Sequence, residues 1–141
     1  MCGARRGGYP RRVSSGQLRE RRTATAQSIA PLRHAVVEFA TRGGATEHQC
    51  QDIALAVSEA LTNVVQHAYC DEALPGIVAM RAALGDGSLE VDFRDEGAGL
   101  PPPADHPAAG LGLALIAKVA DRLELREMTP GTAVRMTFLI G

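Results

Sequence analysis

No apolar run in these 141 residues approaches the roughly 20 that a membrane span needs. The N-terminal residues are basic but lack the apolar core, about 7–15 residues long, of a secretory signal. Both absences point to a soluble protein of the cytoplasm. Cysteine is scarce: Cys2, Cys50 and Cys70 are an odd number with no CxxC spacing, so neither a disulfide framework nor a zinc site follows. His48 and Cys50 offer two metal ligands at most, with no second pair, and reduced thiols are the plain reading. There is no internal repeat. Nor is there room for a second domain of ordinary size.

What is present is near the average of soluble globular proteins, with 45% hydrophobic and 22% charged residues. The net charge of −1 hides an asymmetry. Residues 1–22 carry seven arginines against Glu20, whereas the remaining residues carry eight basic side chains against 15 acids. The acidic body repels phosphate, so direct nucleic-acid binding is not expected of it. The arginine-rich head, with its Gly, Pro and Ser, reads as a disordered basic tail over residues 1–17, ahead of a single domain over 18–141.

Within that domain a short strand is expected near 18–25. Ser28 and Pro31 signal a helix start, followed by Leu32, Val36, Phe39 and Ala40 at helical spacing until Gly43-Gly44. A longer helix is expected from Thr46, where Thr46 and Gln49 fit a capping box, to about Tyr69. After Pro75-Gly76 the period changes to two. Ile77–Met80 and Leu89, Val91 and Phe93 then read as a hairpin turning at Gly85-Asp86-Gly87. A proline-rich loop spans 97–109, Gly110 opens a third helix, and strands are expected at 122–127 and from Thr132 to Ile140. The order β-α-α-β-β-α-β-β implies an α/β (α+β) two-layer sandwich, with helices on one face of a mixed, mostly antiparallel sheet.

Several positions carry more than core chemistry. Glu59, Asn63 and His67 are four residues apart and form one strip beside the apolar stripe of the long helix. Asn is a mediocre helix former, and its amide oxygen suits a hard cation such as Mg²⁺. Asp95 shares parity with Leu89, Val91 and Phe93, so a continuing strand aims a carboxylate at the core, where it needs a donor such as an exocyclic adenine amine. If the strand instead ends at Arg94, Asp95 is a turn residue. Gly97 and Gly99 permit a tight turn and a close backbone approach by a flat ligand. Gly110-Leu111-Gly112-Leu113 stands at a helix start, whose unpaired N–H groups suit phosphates. Thr132 shares parity with Val134, Met136 and Phe138, and its inward hydroxyl also needs a partner.

In order, SEALTNVVQHAY (58–69), DEGAGL (95–100), GLGLALI (110–116) and PGT (130–132) resemble the nucleotide-binding boxes of the GHKL (Bergerat-fold) ATPase/kinase superfamily. Within it, the chain is most similar to the small serine/threonine kinases of the anti-sigma regulatory type, over roughly residues 23–141. The resemblance implies that ATP and Mg²⁺ bind. Asn63 would hold the metal against the phosphates, and Asp95 would accept from the adenine amine beside Gly97, Gly99 and Thr132. Gly110, Leu111, Gly112 and Leu113 would take the phosphates beneath a lid at 100–109, and Glu59 would be the catalytic base. It further implies a homodimer that binds a sigma factor and phosphorylates a serine of a STAS-type anti-sigma factor antagonist. No lysine or arginine lies between Arg94 and Lys118, so metal and backbone N–H groups would neutralise the γ-phosphate. The alternative is therefore an ATP-binding regulatory module without kinase turnover.

Overall fold

The computed structural model of the protein describes residues 16–68, 76–96, 107–128 and 131–140. In chain order the elements are β1 (Gln17–Thr23), α1 (Ala26–Arg42), α2 (Glu47–Asn63) with a π-helical continuation (Val64–Ala68), β2 (Ile77–Gly85), β3 (Ser88–Asp95), α3 (Pro107–Val119), β4 (Arg122–Glu127) and β5 (Thr132–Leu139). β1 starts at Gln17, so the last residue of the expected tail already belongs to the sheet.

The sheet order is β1-β2-β3-β5-β4, and every pairing among the described strands is antiparallel rather than mixed. Alternation sorts its two faces. Val78, Met80, Ala82 and Leu84 of β2, Leu89, Val91 and Phe93 of β3, and Val134, Met136 and Phe138 of β5 are all buried under the helices. Their intervening neighbours are partly or fully exposed. The helices supply Leu32, Val36 and Phe39 from α1, Ile53, Ala56, Val57, Ala60 and Leu61 from α2, and Ile116 from α3. α2 packs between α1 and α3.

Local chemistry sets the boundaries. The Thr46 hydroxyl accepts from the Gln49 N–H at 3.1 Å, and the Gln49 side-chain oxygen accepts from the Thr46 N–H at 2.8 Å. That closes the expected capping box. Asp86 and Gly87 take positive φ values of 51° and 77°, which gives the β2–β3 hairpin the twist its strands require. α1 begins earlier than Ser28, behind Thr25, and carries Pro31 in its second turn. α3 begins at Pro107 rather than Gly110, because proline at a first helical position gives up an N–H that would be unpaired anyway. Gly110 and Gly112 therefore lie inside the helix, within its first two turns.

α2 and the central strands run the length of the domain together. At one end the Gln49 side chain donates to the Leu139 carbonyl at 3.0 Å, and Gly43 abuts Leu84. From Gln49 to Asn63 the helix advances about 21 Å. From Leu139 back to Thr132, β5 covers about 24 Å. α2 thus delivers Asn63 to the end of the sheet where β3 finishes and β5 starts.

Candidate functional site

That end of the domain gathers polar groups that the rest of the interior excludes. Among the described residues the buried polar or charged side chains are Asn63, Asp95 and Thr132, exposed by only 6%, 6% and 3%. All three come from the positions singled out in the sequence. β3 does continue through Asp95, so the turn alternative is excluded and the carboxylate faces the helices. Asp95 and Thr132 are opposite each other in the β3–β5 ladder, on the same face. Directly opposed antiparallel residues hold their Cβ atoms about 5 Å apart, so carboxylate and hydroxyl share one small volume.

Burial without a partner is costly for such groups. The Thr132 hydroxyl and the Asn63 amide nitrogen have no hydrogen-bond partner within the described protein. Asp95 is not without a partner. An amide's nitrogen and oxygen exchange places by a half-turn, which would bring the Asn63 oxygen to the unpaired position. The donor set fits an oxygen-seeking cation that keeps waters and phosphate oxygens as its other ligands. No group of three or more His, Cys, Asp or Glu side chains forms a metal cage among the described residues.

Two backbone features surround these side chains. α2 ends at Asn63, and the next turn widens into π-helix over Val64–Ala68, where a regular helix to Tyr69 was expected. Such local widening is characteristic of functional positions. Gly131 precedes Thr132 with a φ of 101°, and a β-carbon there would collide with the Asp95 carbonyl and the Glu96 Cα. The PGT string contained this glycine, but parity reasoning valued only the threonine. Close packing of Gly131 on β3 brings the start of β5 against the adenine-facing carboxylate of the expectation.

Glu59 lies one turn before Asn63 on α2 and is half-buried. Leu113 is half-buried against the core. Gly110, Leu111 and Gly112 are in α3, which flanks α2. The N–H groups left free by a helix starting at Pro107 precede Gly110. Gly97, Gly99, Tyr69 and residues 100–106 of the expected lid lie outside the described residues, as does the side chain of His67. No described helix is long and apolar enough to cross a membrane.

Known proteins are similar to this chain. Residues 22–138 match the family described as "Histidine kinase-like ATPase domain". An anti-sigma F factor of Caldanaerobacter subterraneus subsp. tengcongensis is 36% identical over 128 residues, 82% of this chain and 87% of the relative. The serine-protein kinase RsbW of Bacillus thuringiensis is 31% identical over 129 residues, covering 81% of this chain and 79% of the relative. The solved RsbU and RsbW domains of Rv1364c from Mycobacterium tuberculosis superpose with a TM-score of 0.71 at 24% identity. That match spans 89% of this chain but 33% of the longer one, and it speaks for the fold alone. With a sandwich of this topology, a buried polar cluster at one end and a family match over most of its length, the chain belongs to the histidine kinase-like ATPase domain family.

Proposed function

We propose that the protein is an ATP-dependent serine/threonine kinase that acts as an anti-sigma factor. It binds a sigma factor, and it phosphorylates a serine on a STAS-type antagonist that would otherwise release that factor. The observation carrying this reading is that the described interior holds three buried polar side chains, Asn63, Asp95 and Thr132, each at a nucleotide-box position. The relatives bearing the names anti-sigma F factor and serine-protein kinase RsbW support the choice of reaction and partners.

In this reading the Asp95 carboxylate accepts from the adenine amine, and the Thr132 hydroxyl gains its missing partner on the purine edge. Gly97 and Gly99 belong to the same string as Asp95 and would leave room for the flat base. Asn63 would hold Mg²⁺ through its amide oxygen, and the ion would offset the phosphate charge. The start of α3, with Gly110 and Gly112 free of β-carbons, admits the phosphates close to the helix backbone. Glu59 orients the serine hydroxyl and takes its proton as the oxygen bonds to the γ-phosphorus. The bond from that phosphorus to the bridging oxygen breaks and ADP leaves. Phosphoryl transfer asks little more of a protein than positioning and charge neutralisation.

Cytoplasmic action and a homodimer belong to the same proposal, the second read directly by sedimentation. The test of function is label transfer from γ-labelled ATP to a purified STAS-type antagonist. Wild type should label one serine, and Glu59→Ala should reduce the rate at least a hundredfold with ATP still bound. No transfer by the wild type, with tight ATP binding intact, would favour the non-catalytic module suggested by the absence of lysine and arginine between Arg94 and Lys118.

A further inference from the structure

The sheet face turned away from the helices is strongly basic. Strand register assigns it Arg19 and Arg21 from β1, Arg81 from β2, Arg94 from β3, Arg135 from β5, and Arg122 and Arg126 from β4. Against these seven arginines stand Glu90, Asp92 and Glu124, an excess of four positive charges on a chain whose net charge is −1. Arg122 stands apart opposite Thr137, and the other six arginines divide into two rows across the strands. In one, Asp92 is clamped between Arg81 at 2.8 Å and Arg135 at 2.7 Å, and the pairing raises the Arg135 pKa. In the other, Arg21, Arg94 and Arg126 alternate with Ala79 and Ala133, and none of the three makes an ion pair among the described residues. The alanines leave the floor low between them. Part of this face forms a groove of about 410 Å³ that includes Arg21, Ala79 and Arg94.

We infer that this face is a docking site for an acidic segment of a partner protein, held in extended polyproline-type form with carboxylates three residues apart. Neighbouring strands lie about 4.8 Å apart, so arginines on alternate strands recur about every 10 Å. A polyproline-type helix rises about 3.1 Å per residue with three residues per turn, which repeats one face every 9–10 Å or so. Each guanidinium then meets one carboxylate. Other occupants fit less well. No aromatic side chain stands on the face to stack a base. A second copy of the same face carries the same sign. So does the chain's own head, with Arg5, Arg6, Arg11 and Arg12.

The test uses fluorescence anisotropy with the full chain and a labelled (Glu-Pro-Pro)₅ peptide at low salt. Comparators are a scrambled peptide of the same composition, (Lys-Pro-Pro)₅ and a labelled single-stranded oligonucleotide. The periodic acidic peptide should bind at least fivefold tighter than its scramble, and its affinity should fall with added salt. The variant R21E/R94E/R126E should lose at least tenfold, whereas R33E/R42E/K118E, an equal charge change on the helices, should lose less than threefold. Circular dichroism melting checks that both fold, and R21Q/R94Q/R126Q replaces the first if it does not. No peptide binding, equal losses in the two triple variants, or equal binding of the scramble overturns the proposal. Tighter binding of the oligonucleotide would assign the face to nucleic acid, and a dimer lost only in the row variant would assign it to a second copy.

Discussion

A buried hydroxyl without a partner is an unusual thing for a folded protein to keep. Among the described residues Thr132 keeps one, and a bound ligand that satisfied it would offset the cost. Replacing it with valine preserves shape while removing the orphan. Thr132→Val should therefore stabilise the ligand-free protein by about 1 kcal/mol in urea denaturation, yet weaken ATP binding. A ligand-free loss of stability would mean the hydroxyl already has a partner. Gly131 makes the opposite case. Gly131→Ala faces both a positive φ and a collision with the Asp95 backbone, and should cost about 2 kcal/mol or more in denaturation. Gly44→Ala meets nothing within 4 Å at a similar φ and should cost only about 1 kcal/mol. At this scale parity pointed Thr132 inward, and Asp95 inward only on the condition that β3 continued past Arg94, which it does. The role of Gly131 was not legible, because close approach between two strands leaves no mark on the alternation of either.

Elements were legible where the local signal is chemical. The capping box at Thr46 and Gln49 and the Asp86-Gly87 turn are readable in a few letters, and both form as expected. Thr46→Ala should cost about 1 kcal/mol of stability in denaturant titration, since the Gln49 N–H loses its acceptor while the backbone N–H of residue 46 keeps the Gln49 side chain. It should leave ATP affinity unchanged, because the cap and Asn63 are at opposite ends of α2. A change in affinity would show that the helix moves as a lever on the site. The start of α3 and the π-helical turn after Asn63 were less legible. Apolar periodicity fixes a helix's face and middle, but the end depends on which N–H groups the first residues can forgo, and Pro107 decides that. The widening at Val64–Ala68 leaves the apolar spacing nearly unchanged over so few residues.

The whole molecule is a sheet with two unlike faces. One is apolar except where Asp95 and Thr132 stand opposite each other, and the other is a charged plane rich in arginine. The two-layer architecture followed from element order, but the strictly antiparallel order β1-β2-β3-β5-β4 did not. Placing β5 between β3 and β4 is a long-range choice, and it is the choice that seats Thr132 beside Asp95. The arginine rows were equally invisible along the chain, since each member comes from a separate strand. The central claim is that the buried polar end of the helical layer is a purine-nucleotide pocket. Isothermal titration of the full-length protein with Mg-ATP, in parallel with Asp95→Asn, tests it most directly. The account predicts saturable one-site binding by the wild type, accompanied by a higher melting temperature, and at least a tenfold loss in the variant. No heat or thermal shift with the wild type, or equal affinity in both proteins, would contradict it.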